Sequence, residues 1–192
     1  MVYDGIIIAL LVGLFRGGNF KGLADMKIKQ AWVFPVLLMI QIVIYILQNK
    51  IPILGFYSNT IFILVYLVGM YFLWLNRHHP GFVVIFIGVF LNFLVMALNG
   101  GRMPVSIEAS AVLDPYFVEA LKNGLYGKHA AITESTRLAF LGDIIPLSAP
   151  YPREQIISIG DVIMNIGVFF FIQYLMIGKI EKNSTPQVTT TN

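Results

Sequence analysis

Five apolar runs constrain this chain more than anything else in it. The segments 1–15, 31–48, 56–75, 81–98 and 155–178 carry their apolar residues in continuous runs, not in the one-sided stripes of a helix lying on a soluble core. The chain of 192 residues is only 12% charged, about half the soluble average. Lipid as solvent accounts for both facts, because a helix satisfies its own backbone hydrogen bonds and can present apolar side chains on every face. The fold class read from this pattern is all-α: a polytopic membrane bundle of five transmembrane helices, forming a single membrane domain over 1–178.

Topology follows from counting cations. With the loop after the first run, the turn at Arg77 and the tail on one side, that side holds Arg16, Lys21, Lys27, Lys29, Arg77, Lys179 and Lys182. The other side holds Lys50 and a long loop whose Arg102, Lys122, Lys128, Arg137 and Arg153 are offset by six acids. The positive-inside bias therefore puts the N-terminus outside and the C-terminus in the cytoplasm of a bacterial plasma membrane. The net charge of +3 is then a topology signal and not a nucleic-acid footprint. Membrane lipids are the partners it implies, and 179–192 reads as a polar, disordered cytoplasmic tail.

The first run spans roughly 22 Å as a helix against a bilayer core of about 30 Å, so it leans on Arg16 snorkelling or on local thinning. No basic residue precedes it and no small-x-small site follows it, so it reads as a retained helix and not a cleaved signal. Phe20, Leu23, Ala24, Met26 and Ile28 leave room for a short interfacial helix. His78 and His79 have no third ligand near them in sequence and read as a solvated turn, and no metal or cofactor is called for. With no cysteine in the chain, disulfides and thiolate metal sites are excluded.

Between the fourth and fifth runs lies a loop, 100–154, too apolar to be a floppy linker. Asp114 before Pro115 is an N-cap and N1 pair, which predicts a helix over 115–123 ending at Gly124. A second helix is predicted over 133–141, stopped by Gly142. Pro146, Pro150 and Pro152 then force an extended return. The expectation is a short helical extracytoplasmic cap.

The few polar groups in and beside the runs carry the chemistry. Asn92 and Asn99 share one face of the fourth run, and Ser158, Asp161 and Asn165 share one face of the fifth. An amide in hydrocarbon needs a partner, so these two faces are expected to meet. Asn99-Gly100-Gly101-Arg102 either forms an anion-holding corner beside a guanidinium or is a helix C-cap with Arg102 snorkelling. A carboxylate inside a membrane helix is costly enough that Asp161 is read as functional. Its partners would be Arg102, Asn92, Asn99 or a second carboxylate, Asp143; the structural alternative is an ion pair with Arg102 or Arg153.

Two resemblances bear on these residues. LGDIIP, followed by SIGDV and Gly167, resembles the closing half of the type II lipoprotein signal peptidases, with Asp143 and Asp161 spaced like that family's two aspartates. Ser158 stands where that family has asparagine, Gly160 where it has alanine, and this chain has one more span. The resemblance implies a catalytic dyad, Asp143 and Asp161, sharing a proton and activating water on a membrane peptide or lipoprotein. Over nearly its full length, the chain resembles an uncharacterised family of small bacterial five-span membrane proteins with the same NGGRMPV, GDIIP and SIGD blocks. That resemblance implies membership and fold but no activity. Three functions stand: binding of a lipid headgroup, peptide or partner at an outer site of Asn92, Asn99, Gly100, Gly101, Arg102, Ser158 and Asn165 around Asp161; an aspartyl peptidase; or a small transporter using Asp161, Asn165 and Asn92.

Overall fold

A computed structural model of the chain describes residues 2–24, 26–125, 127–151 and 153–184. Apolar helices occupy all five runs: α1 (Val2–Phe15), α3 (Val33–Leu47), α4 (Pro52–Leu75), α5 (Phe82–Leu98) and α7 (Ile159–Ser184). The short α2 (Lys21–Ala24) follows α1. Two helical stretches, Pro52–Leu75 and Ile159–Ile177, are long and apolar enough to cross a membrane. Gly5–Phe15, Val33–Leu47 and Phe82–Leu98 are equally apolar but shorter, because turns and caps take up residues at their ends. α4 starts earlier than its apolar run, since Pro52 sits in the first turn where a missing N–H costs least.

α7 is the spine of the bundle. It packs antiparallel to α5, with Gly81 against Gly167 and Gly88 against Gly160, so close that a Cβ on any of the four would strike the facing backbone. It runs parallel to α1, which lays Gly5 on Asn165 and Gly13 on Met176. Gln173 Nε2 crosses to Ala9 O at 2.6 Å, and Arg16 Nη1 donates to Gln173 Oε1 at 3.1 Å. The core pairs Ile44 with Phe62 and Val95 at one end, and Val33 with Phe72 and Phe82 at the other. α3, α4 and α5 therefore run antiparallel in turn, and the five long helices alternate in direction. Large apolar side chains point outward on all five, Phe15 at 89% and Phe56 at 79% exposure among them.

At the end holding the early cations, buried Asn76 donates to Lys29 O at 3.0 Å and to Phe72 O at 3.0 Å, and accepts from Lys29 N at 2.9 Å. It ties the loop after α2 to the α4–α5 turn. His78 is exposed there, but His79 is not the solvated residue the sequence implied: its ring packs 5.3 Å from Phe82 and 6.0 Å from Phe171.

The cap at the other end corrects the all-α expectation. Its α6 (Pro115–Lys122) is capped by Asp114 Oδ1, which accepts from Tyr116 N at 2.8 Å. The helix predicted over 133–141 is absent. Thr136 Oγ1 accepts from Thr133 N at 2.9 Å and turns the backbone there, Leu138 sits at φ 50°, and only Ala139–Leu141 forms a 3-10 turn. Four short strands supply the rest. β1 (Met103–Val105) pairs in parallel with β2 (His129–Ala131), and β3 (Ile145–Leu147) pairs antiparallel with β4 (Gln155–Ile157). Asp143 bridges to Val105 and leads straight into β3, joining the two ribbons. Because β4 claims Gln155–Ile157, the fifth helix begins at Ile159 and not at Gln155. Pro152 and 185–192 of the predicted tail lie outside the described residues, whereas α7 continues as helix to Ser184.

Candidate functional site

The last helix opens with a capping box. Ser158, just before α7, accepts on Oγ from Asp161 N at 3.0 Å, and the Asp161 carboxylate accepts on Oδ2 from Ser158 N at 3.1 Å. Asn92 of α5 closes the cluster: its Nδ2 donates to Asp161 Oδ1 at 2.9 Å, and its Oδ1 accepts from Ser158 Oγ at 2.8 Å. Gly160 lies flat on Asn92, where a Cβ would collide with the amide. Asp161 thus has the helix N-terminus, a backbone N–H and an amide to stabilise its charge.

Asp143 is its opposite. The backbone is fixed on both sides, Asp143 N donating to Pro104 O at 2.8 Å and Ser106 N to Asp143 O at 3.0 Å. The residue is only 7% exposed, Oδ2 lies 3.5 Å from His129 Nε2, and Oδ1 is buried with no hydrogen-bond partner. Burial first, then the like charge of Asp161, pushes its carboxyl up to about 8, against the pull of Lys128. Asp143 is therefore mostly protonated at neutral pH. Lys128 donates to the Tyr66 hydroxyl; Tyr66 above all, then Asp143 and Asp161, raises the ammonium's pKa against the desolvation that lowers it.

These groups surround two adjoining cavities. The deeper, of about 280 Å³, is lined by Tyr66, Asn92, Lys128, Asp143, Arg153 and Asp161, with Met103 and Ile157 as apolar wall. The outer, of about 470 Å³, is lined by Tyr45, Leu113 and Phe117 together with Asp114, Asp143, Arg153 and Glu154. His129, Asp143, Arg153, Gln155 and Ile156 belong to both.

Residues 25–173 match the model of a family described as a family of unknown function (DUF5317). An uncharacterized protein of Thermotoga maritima is 33% identical over 171 residues, covering 89% of each chain. The chain belongs to this family. No solved structure matches it. The family's span begins after α1 and includes every residue that lines the two cavities.

Of the residues singled out in the sequence, the structure brings together Asn92, Ser158, Asp161 and Asp143. The others lie elsewhere. Gly100 and Gly101 have φ of 70° and 84°, and Gly101 N donates to Met96 O at 2.8 Å, the six-to-one bond of a Schellman cap. Arg102 meets neither carboxylate. Its Nε donates to Asn59 Oδ1 at 3.0 Å and its Nη1 to Gly124 O at 3.2 Å. Asn99 donates to Val95 O and Arg137 O and accepts from Arg137 N, stapling the cap to α5. Asn165 donates to Asp161 O at 2.8 Å but faces Gly5 of α1, away from the cavities. Asp161 pairs with neither arginine proposed as its structural partner, because the capping box and Asn92 occupy it.

Tyr66, Lys128 and His129 belong to the site without any prior signal. Tyr66 is one hydroxyl inside an apolar run. Lys128 and His129 follow a turn and enter the site only because β2 pairs with β1.

Proposed function

We propose that this family member is a polytopic membrane protein, crossing five times with its N-terminus outside, that binds a lipid headgroup in the polar cavities beneath its outer cap. The observation that carries the reading is Asp143: a buried carboxyl with an unpartnered oxygen, opening on both cavities. A protein that left this group without a ligand would bear its full desolvation cost, about 1–3 kcal/mol. The alternating helix directions and the outward apolar side chains support the five crossings. The shorter helices would be accommodated by local thinning.

Two measurements test this. The native chain has no cysteine, so single substitutions report sidedness cleanly: Tyr116→Cys should be labelled from outside intact cells and Arg77→Cys only after permeabilisation. Full-length protein taken from phospholipid nanodiscs should retain lipid in native mass spectrometry, and Asp143→Leu should lose it. Equal retention by both would overturn the headgroup reading.

One observation favours a second reading, peptide hydrolysis: the two carboxyls of one cavity differ in their surroundings, Asp161 accepting from Asn92 and Ser158 while Asp143 is buried and pushed up to about 8. Asp161 as carboxylate would take a proton from water as it attacks a peptide carbonyl, while protonated Asp143 gives its proton to the carbonyl oxygen. In this reading Asp161→Asn lowers lipopeptide cleavage by about two to four orders of magnitude. Absence of any cleavage by the native protein sinks it.

A further inference from the structure

The headgroup reading leaves the ligand's chemistry open, and the charges of the two cavities narrow it. They are not distributed alike. The deeper cavity has Lys128 and Arg153 facing Asp161, with the Tyr66 hydroxyl and the Asn92 amide as neutral polar groups. Lys128 reaches toward Tyr66 from the turn just before β2, so its ammonium sits at the wall of this cavity. The outer cavity reverses the balance: Asp114 and Glu154 take the place of Asp161, Lys128 is lost, and Arg153 alone remains as a fixed cation. Asp143 stands where the two meet, with the unpartnered Oδ1 that marks a place for a donor.

A simple anion would match the deeper cavity and be repelled by the outer one. A simple cation would do the reverse. A ligand carrying a phosphate and an ammonium a short chain apart matches both, and its order agrees with depth. In an ethanolamine phospholipid the phosphate lies next to the glycerol and the ammonium lies farther out. Here the cation-bearing cavity reaches the helices α4 and α5, and the acid-bearing cavity lies against the cap.

We propose, resting on the headgroup reading above, that the two cavities bind a zwitterionic phosphoethanolamine group, its phosphate at Lys128 and Arg153 and its ammonium at Asp114 and Glu154, one of its N–H groups donating to the unpartnered Oδ1 of Asp143. Leu113, Phe117 and Tyr45 form the apolar wall beside the ethylene chain. The site selects by charge order, so it discriminates against headgroups that have the phosphate alone.

The test uses full-length protein in nanodiscs containing equal phosphatidylethanolamine, phosphatidylglycerol and diacylglycerol, with the retained lipid measured by mass spectrometry. The native protein should retain phosphatidylethanolamine over phosphatidylglycerol by about ten-fold. Glu154→Gln combined with Asp114→Asn should collapse that preference; asparagine still serves as a helix N-cap, so α6 is kept. Arg153→Gln should weaken both phospholipids by about ten-fold. Displacement of retained lipid by soluble phosphoethanolamine would assign the chemistry to a free ligand, and resistance to it would assign the lipid as source. Retention of phosphatidylglycerol at or above phosphatidylethanolamine would overturn the zwitterion while leaving headgroup binding intact. No preference for either phospholipid over diacylglycerol would overturn both.

Discussion

Two polar blocks flank the cap end of the bundle, and they do opposite things. At the Asn99–Arg102 corner every conspicuous side chain is satisfied: Asn99 by Val95 and Arg137, Arg102 by Asn59 and Gly124, with Gly100 and Gly101 completing a helix cap. At Asp143 the backbone is satisfied on both sides and the side chain is not. The corner uses polar groups to fasten the cap onto α4 and α5. The segment at Asp143 uses its backbone to hold one buried carboxyl between two polar cavities. An asparagine or arginine whose hydrogen bonds all end within the protein is structure, whereas a buried acid left with an empty oxygen is chemistry waiting for a partner.

The comparison breaks most plainly in the pH dependence of stability. The Asp143 carboxyl is raised from 3.8 to about 8 in the folded state, so between those pH values the native chain binds more proton than the unfolded chain. Stability falls as pH rises through that window and levels off above it. The full span amounts to at most about 6 kcal/mol. Thermal denaturation in detergent at pH 5 and pH 8 should show the decline in the native protein and a much flatter profile in Asp143→Asn. An equal decline in the variant would show that Asp143 is not the strained group.

The corner should respond to geometry and not to pH. Gly101 combines a φ of 84° with a Cβ position 2.7 Å from Asn59 O. Gly101→Val should therefore cost about 3 kcal/mol or more, and the loss should be alike at pH 5 and pH 8. A near-neutral Gly101→Val would mean that the cap is not fastened there.

The smallest effect sharpens the role of Asp161. Ser158→Ala removes one half of the capping box and leaves Asn92 Oδ1 without its donor, at a cost of about 1–2 kcal/mol. Ser158→Thr should restore most of it, because a threonine hydroxyl can make the same two bonds. If Ser158→Ala abolished ligand retention and Ser158→Thr failed to rescue it, Ser158 would be touching ligand and not merely holding Asp161.

Much of the architecture was legible in local sequence. The five apolar runs mark the five long helices, and Asp114-Pro115 marks the start of α6. Each of these depends on neighbours within a turn or two of the chain. The meeting of Asn92 with Asp161 followed from the same reasoning, since an amide and a carboxylate in apolar helices have few other partners.

Where the expectation failed, distance along the chain was the reason. Nothing local assigns 155–157 to a strand, because that depends on pairing with Ile145–Leu147. Nothing near Arg102 reveals that Asn59, some forty residues earlier, will take its guanidinium. Apolar patterning and capping are short-range and written into the chain, so the sequence by itself determined where helices run and which polar residues were too costly to be idle. Only the tertiary structure decided which of those residues meet. The pairing of β1 with β2 brings Lys128 and His129 to Asp143, and the Gly88–Gly160 approach brings Asn92 to Asp161, because long-range contacts depend on what the whole bundle packs together.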